Sequence, residues 1–133
     1  MNAHEELKKA IYAKLTGAGD FNTAIGGRIY YGRADQPIQY PCAVYSFYAD
    51  NYNFDSGNQW EEIFIQISIY SDESSSGTIT TIESLLIDLL QDATLSFTNF
   101  IQLQFKRLSK RYLIDQDGVW NSIIEYRIEL EHK

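Results

Sequence analysis

Four isoleucines at alternate positions, Ile63, Ile65, Ile67 and Ile69, constrain this chain more than any other feature. In an extended backbone they all point to one side of a sheet, leaving Phe64, Gln66, Ser68 and Tyr70 on the other. Soon afterwards the apolar period changes to that of a helix. From about Ser76 to Gln91, the residues Ile79, Ile82, Leu86, Leu89 and Ala93 share one face, widened by Leu85 and Leu90. A strand with one oily face followed by a helix with one oily face describes a sheet covered on one side. The semi-polar side is then free for water or another subunit.

The rest of the chain extends this scheme. Asn2, with Glu5 three residues on, is placed to cap a first helix. Leu7, Ile11 and Leu15 form its stripe, Glu5, Glu6, Lys8, Lys9 and Lys14 its wet face, and Gly17 its end. Asp20 opens a short turn through Ile25, stopped by Gly26-Gly27, and residues 28–31 read as a short strand. Pro37 and Pro41 mark an extended connection. Residues 42–49 favour a pleated surface, and Asn51 to Asn58 reads as an eight-residue polar loop carrying Tyr52 and Phe54. In residues 100–108, Ile101, Leu103 and Phe105 alternate with Gln102, Gln104 and Lys106. Asp117-Gly118 signals a hairpin into the last strand, with Trp120, Ile124, Tyr126, Ile128 and Leu130 on one face. The expected fold is α+β: an antiparallel β-sheet with long hairpins, one face covered by two α-helices, in a single domain spanning residues 1–133.

Several function classes recede on composition. A net charge of −7 opposes a general duplex-binding surface. The lone Cys42 forms no internal disulfide and reads as a small buried hydrophobe, which suits a reducing compartment. No secretory-signal layout opens the chain and no apolar run is long enough for a bilayer, so the expectation is a cytosolic, non-membrane protein. His4 and His132 lie near the ends, where fraying is expected. Asp115-x-Asp117-Gly118 begins like a calcium loop, but Val119 and Tyr126 stand where the loop needs oxygen ligands. Glu61-Glu62 and Asp72-Glu73 would sit roughly 30–35 Å apart along one strand, too far to share a metal. Gly26-Gly27-Arg28 lacks the Lys and Ser/Thr of a phosphate loop. The expectation is no catalytic site, no metal and no cofactor.

What remains is a surplus of aromatic surface: ten tyrosines and seven phenylalanines in 133 residues. Tyrosine and tryptophan suit interfaces because they bury area while keeping a polar handle. Unpaired strand edges point the same way, towards self-association. The candidate interface residues are Tyr52, Phe54 and Trp60 around the first hairpin tip, and the basic cluster Lys106, Arg107, Lys110 and Arg111. In a strand that cluster divides between both faces.

Gly27-Arg28-Ile29-Tyr30 follows the first helix, and Pro37 and Tyr40-Pro41 lead into a strand. Tyr70-Ser71-Asp72 closes the alternating strand ahead of the amphipathic helix, and Asp117-Gly118 with Trp120 opens the last strand. In this order and spacing the chain resembles the tail-terminator, or tail-completion, proteins of long-tailed bacteriophages and prophages. The 51–58 loop and Cys42-Ala43 depart from that family's pattern. The resemblance implies a non-catalytic ring, commonly a hexamer, that caps the head-proximal end of the tail tube. Its implied partners are further copies of itself, the tail-tube protein and a head-completion protein. DNA would pass through the ring without sequence-specific binding. The implied location is the virion tail or neck, assembled in the bacterial host cytoplasm. A head-closure or head–tail adaptor subunit of the neck is the alternative within this class. A small-molecule-binding α+β domain is the alternative outside it.

Overall fold

The computed structural model describes residues 2–17, 19–55, 57–74 and 76–133, without the side chains of Phe54 and Asp55. Its elements in chain order are α1 (Ala3–Thr16), α2 (Asp20–Ile25), β1 (Ile29–Tyr31), β2 (Cys42–Asp55), β3 (Asn58–Ser71), α3 (Gly77–Leu90), β4 (Phe100–Ile114) and β5 (Trp120–His132). The strands form one sheet in the order β1-β2-β3-β5-β4. The fold is α+β, and the sheet is antiparallel except for β1, which runs parallel to β2. The expectation of an all-antiparallel sheet fails there because the 32–41 connection carries the chain back to the end of the sheet from which β1 started.

Ile63, Ile65, Ile67 and Ile69 are at most 1 % exposed and form the middle of the core. In register they face Tyr45 and Phe47 of β2 on one side and Ile124, Tyr126 and Ile128 of β5 on the other. Leu7, Ile11 and Leu15 of α1 and Ile79, Ile82 and Leu86 of α3 close over this face. The short α2 adds Phe21 and Ile25, so three helices, not two, form the cover. Cys42 is buried beside β3, and loss of hydration raises its thiol pKa, Arg28 opposing weakly.

Local chemistry accounts for the ends of the elements. The Asn2 side chain accepts the Glu5 amide at 2.8 Å and caps α1. Helix α2 stops at Gly26, whose φ of +67° is left-handed and whose absent Cβ would stand 2.6 Å from the Arg28 guanidinium. Arg28 uses that room to donate from Nε to the Pro41 carbonyl at 2.8 Å, tying the start of β1 to the start of β2. At the β4–β5 turn, Asp115 Oδ1 accepts the amides of Asp117 and Val119, each at 2.9 Å. This carboxylate is spent on the turn, as the turn reading of that motif requires.

Three local expectations are corrected. The expected 51–58 loop is mostly strand: β2 runs to Asp55 and β3 starts at Asn58, so Tyr52 and Asn53 lie within a paired ladder. Polar side chains suggested a loop, but two-stranded pairing satisfies the backbone regardless of them. Ile101 and Leu103 do not alternate into the core. A register shift between Gln102 and Gln104 leaves both exposed and turns Phe105 inward. The histidines are not in frayed ends: His4 Nε2 pairs with the Tyr31 hydroxyl at 2.9 Å, and His132 Nε2 with Glu61 Oε1 at 3.2 Å.

Candidate assembly surface

Strand β4 ends the sheet, so among the described residues one side of its fifteen-residue backbone has no ladder partner. It also holds six of the ten exposed large hydrophobic side chains among the described residues: Ile101, Leu103, Leu108, Tyr112, Leu113 and Ile114. Scattered apolar groups are ordinary on a surface, but six on one unpaired strand are not. Bulges at Leu103 and Leu108 interrupt the edge. Register places Arg107 and Lys110 on the helix side, opposite Tyr126 and Ile124, and Lys106 and Arg111 on the bare side, opposite Arg127 and Ile123. The basic cluster therefore does divide between faces.

The opposite end of the sheet is also open. Strand β1 pairs with only Ala43, Val44 and Tyr45, so from Ser46 onwards the outer side of β2 has no ladder partner among the described residues. Tyr52, 56 % exposed, stands on this projecting stretch with its ring at a right angle to that of His132. Trp60 is half-buried, in register with Asn53 and Glu131. The Phe54 side chain lies outside the described residues. Glu61 is half-buried towards the same end, near Asp50. Desolvation and the Asp50 charge raise its pKa, and His132 opposes them.

Two buried carboxylates fasten the helices to the ladder. Glu83 of α3 is 3 % exposed and accepts bonds from Ser122 Oγ (2.6 Å), Tyr112 Oη (2.7 Å) and Lys110 Nζ (2.9 Å). Burial works to raise its pKa, but these three donors outweigh it and hold the carboxyl below its ordinary range. The Tyr112 hydroxyl, bonded to that carboxylate, is pushed up to about 12. Glu6 of α1 was expected in solvent and is instead 6 % exposed. It accepts the amides of Thr98 and Asn99 and the Asn99 side chain, which lower its pKa against the effect of burial.

The bare face is tied together by Arg127 of β5. Its guanidinium bonds Glu62 of β3, Gln104 of β4 (2.6 Å) and Glu129 of its own strand (3.0 Å). The bond from Arg127 is the main cause that holds Glu62 below the ordinary carboxylate range. Tyr48, on the β2 bulge, donates to Glu125 at 3.1 Å.

Clefts offer little for chemistry. The groove beside α1 (about 470 Å³) contains Glu6, whose oxygens are already occupied. Among the described residues, no cluster of His, Cys, Asp or Glu is placed to hold a metal, and no helix is long and apolar enough to cross a membrane.

Residues 9–131 match the family described as "Tail completion protein gp17". The chain belongs to this family of tail completion proteins. A chain of the virion of a native gene transfer agent particle superposes with a TM-score of 0.83 at 16 % identity, covering 98 % of this chain and 99 % of that one. The gp17 protein of bacteriophage SPP1 superposes with a TM-score of 0.61 at 18 % identity, covering 95 % and 89 %. At these identities the two likenesses establish the fold. No curated protein sequence matches the chain significantly.

For a tail completion protein, Glu6 and Glu83 are the side chains that sequence reasoning missed. Glu83 did carry a signal, because it sits in the apolar stripe Ile79, Ile82, Leu86, Leu90 of α3. An acid inside such a stripe, with tyrosine, serine and lysine on later strands, is a candidate for a buried, fully bonded carboxylate. Glu6 gave less warning, because its partners are mainly backbone amides 92 and 93 residues away.

Proposed function

We propose that this tail completion protein is a structural, non-catalytic tail terminator. Copies of it form a ring, commonly of six, on the head-proximal end of the tail tube. The ring stops addition of tube subunits and presents a surface for a head-completion protein. DNA passes through it without sequence-specific binding. Its place is the virion tail or neck, assembled in the host cytoplasm. The observation that carries this reading is the family match across residues 9–131. The likeness to a chain of a gene transfer agent particle and to a phage gp17 protein supports it.

Physical features favour a ring. A heterologous ring needs two different patches on each subunit, and a closing rotation ends growth. This sheet has two different open edges, at β4 and at the projecting part of β2. A standard protein contact of on the order of 1,600 Å² is within reach of edges this long. Tyr52, Phe54, Trp60, Lys106, Arg107, Lys110 and Arg111 are the proposed interface residues.

Purified protein added to polymerising tail-tube subunits tests the reading by negative-stain imaging. The expected result is tubes bearing a ring at one end and no longer growing there. Unchanged growth with no bound ring would overturn it. Rings that bind a head-completion protein but never a tube end would favour the neck-adaptor alternative.

A further inference from the structure

The two open edges carry opposite charge. Strand β4 holds Lys106, Arg107, Lys110 and Arg111 and no acid. The open stretch of β2, residues 46–55, holds Asp50 and Asp55 and no lysine or arginine, while Glu61 and Glu62 stand behind it on β3, bonded to His132 and Arg127. The two outermost open edges of the sheet thus differ in sign, with Lys106 and Arg107 on one and Asp50 on the other. We infer that the subunit contact of the proposed ring is strand addition: the β4 edge of one copy pairs with the β2 edge, residues 46–55, of the next. This inference rests on the ring reading and specifies its interface.

Direction follows from topology. β2, β3, β5 and β4 each run antiparallel to their neighbour, so β2 and β4 of one chain point opposite ways. A second copy repeating the first by a modest rotation then brings its β2 antiparallel to β4, extending the ladder without reversing a strand. Both edges have open backbone donors and acceptors to satisfy.

Charge also excludes the wrong pairings. Two β4 edges would set Lys106 and Arg107 against their own copies, Lys110 and Arg111 being paired with Glu83 and Glu125, and two β2 edges would bring acids together. Lysines and bulges are common guards of a free edge. Here they block like-with-like pairing and leave the acidic edge of another copy as the matching partner. Ile101, Leu103, Leu108 and Leu113, exposed beside the basic groups, add apolar area to the contact. Self-pairing is thereby restricted to a head-to-tail arrangement, the kind that closes into a ring.

A charge-exchange experiment tests this. One variant carries Lys106→Glu and Arg107→Glu; a second carries Asp50→Lys and Asn53→Lys; all four positions are exposed. Each variant is compared with wild type by native mass spectrometry, alone and with tail-tube subunits. Circular dichroism confirms that the variants fold. Each variant alone should lose oligomer by about tenfold or more, because its two edges now repel. A 1:1 mixture should recover an oligomer in which the two variants alternate, and so should a chain carrying all four substitutions. Variants that assemble like wild type, or a mixture no better than its components, would overturn edge pairing while leaving the ring intact. A wild type that forms no oligomer with or without tube subunits would overturn both.

Discussion

The two faces of the sheet are satisfied in different ways. On the helix side, Ile63, Ile65, Ile67 and Ile69 are sealed under three helices, and two acids there, Glu83 and Glu6, are matched donor by donor. On the bare side, Arg127 links three strands through Glu62, Gln104 and Glu129 in partial contact with water. One face depends on being covered; the other joins its central charged groups to one another. The longest run of unmet demands therefore lies along the pair of open edges, where among the described residues backbone groups have no ladder partner. That shifts attention from the semi-polar face, which the sequence marked as free for a subunit, to the ends of the sheet.

The sharpest way to break this contrast is to compare deletions on the two faces. Ile65→Ala removes a fully buried side chain from the centre of the core and should cost about 4 kcal/mol, read from urea denaturation. Glu83→Ala strips the buried Ser122 hydroxyl and Tyr112 of their acceptor and should cost about 3 kcal/mol. An equal loss from Arg127→Ala would end the distinction, since that part-exposed network should yield only about 1 kcal/mol.

Acid sharpens the same point. The carboxyls of Glu6, Glu62 and Glu83 sit below their ordinary value of 4.5 in the folded chain. The unfolded chain therefore binds more protons, and the stability these groups supply is fully present above about pH 4.5 and lost as pH falls through the lowered values. Thermal melts from pH 7 to pH 2 should show this loss, and Glu83→Gln should weaken the pH dependence. Glu61 has the opposite sign. Its raised pKa favours the folded state below the ordinary value, and that advantage disappears as pH rises through the folded value. Glu61→Gln should thus stabilise the protein near neutrality by about 0.5 kcal/mol, the smallest effect expected here.

Much of this was legible in local pattern. Alternation of period two identified β3 and the core face of β5, and helical spacing identified α1 and α3, because burial on one side imposes those periods directly. Asp117-Gly118 marked its hairpin because Gly118 needs a positive φ of 81°. The 51–58 stretch misled because side-chain polarity says nothing of a ladder made by backbone groups. Ile101 and Leu103 misled because a single bulge exchanges the faces of a strand. Of the candidate interface residues, Lys106, Arg107, Lys110 and Arg111 were placed on a strand in advance, but that the strand is the sheet's outermost one was not visible.

The sequence by itself determined which apolar side chains of α1, α3, β3 and β5 leave water, since the hydrophobic period of those elements is written locally. Only the tertiary structure decided which strand stands at an edge, that Glu6 and Glu83 meet their donors, and that Lys106 and Arg107 stand on one open edge and Asp50 on the other. Those facts depend on pairings between residues as much as 93 positions apart, and strand order is chosen by the packing of the whole sheet and its helices, for which no local period exists.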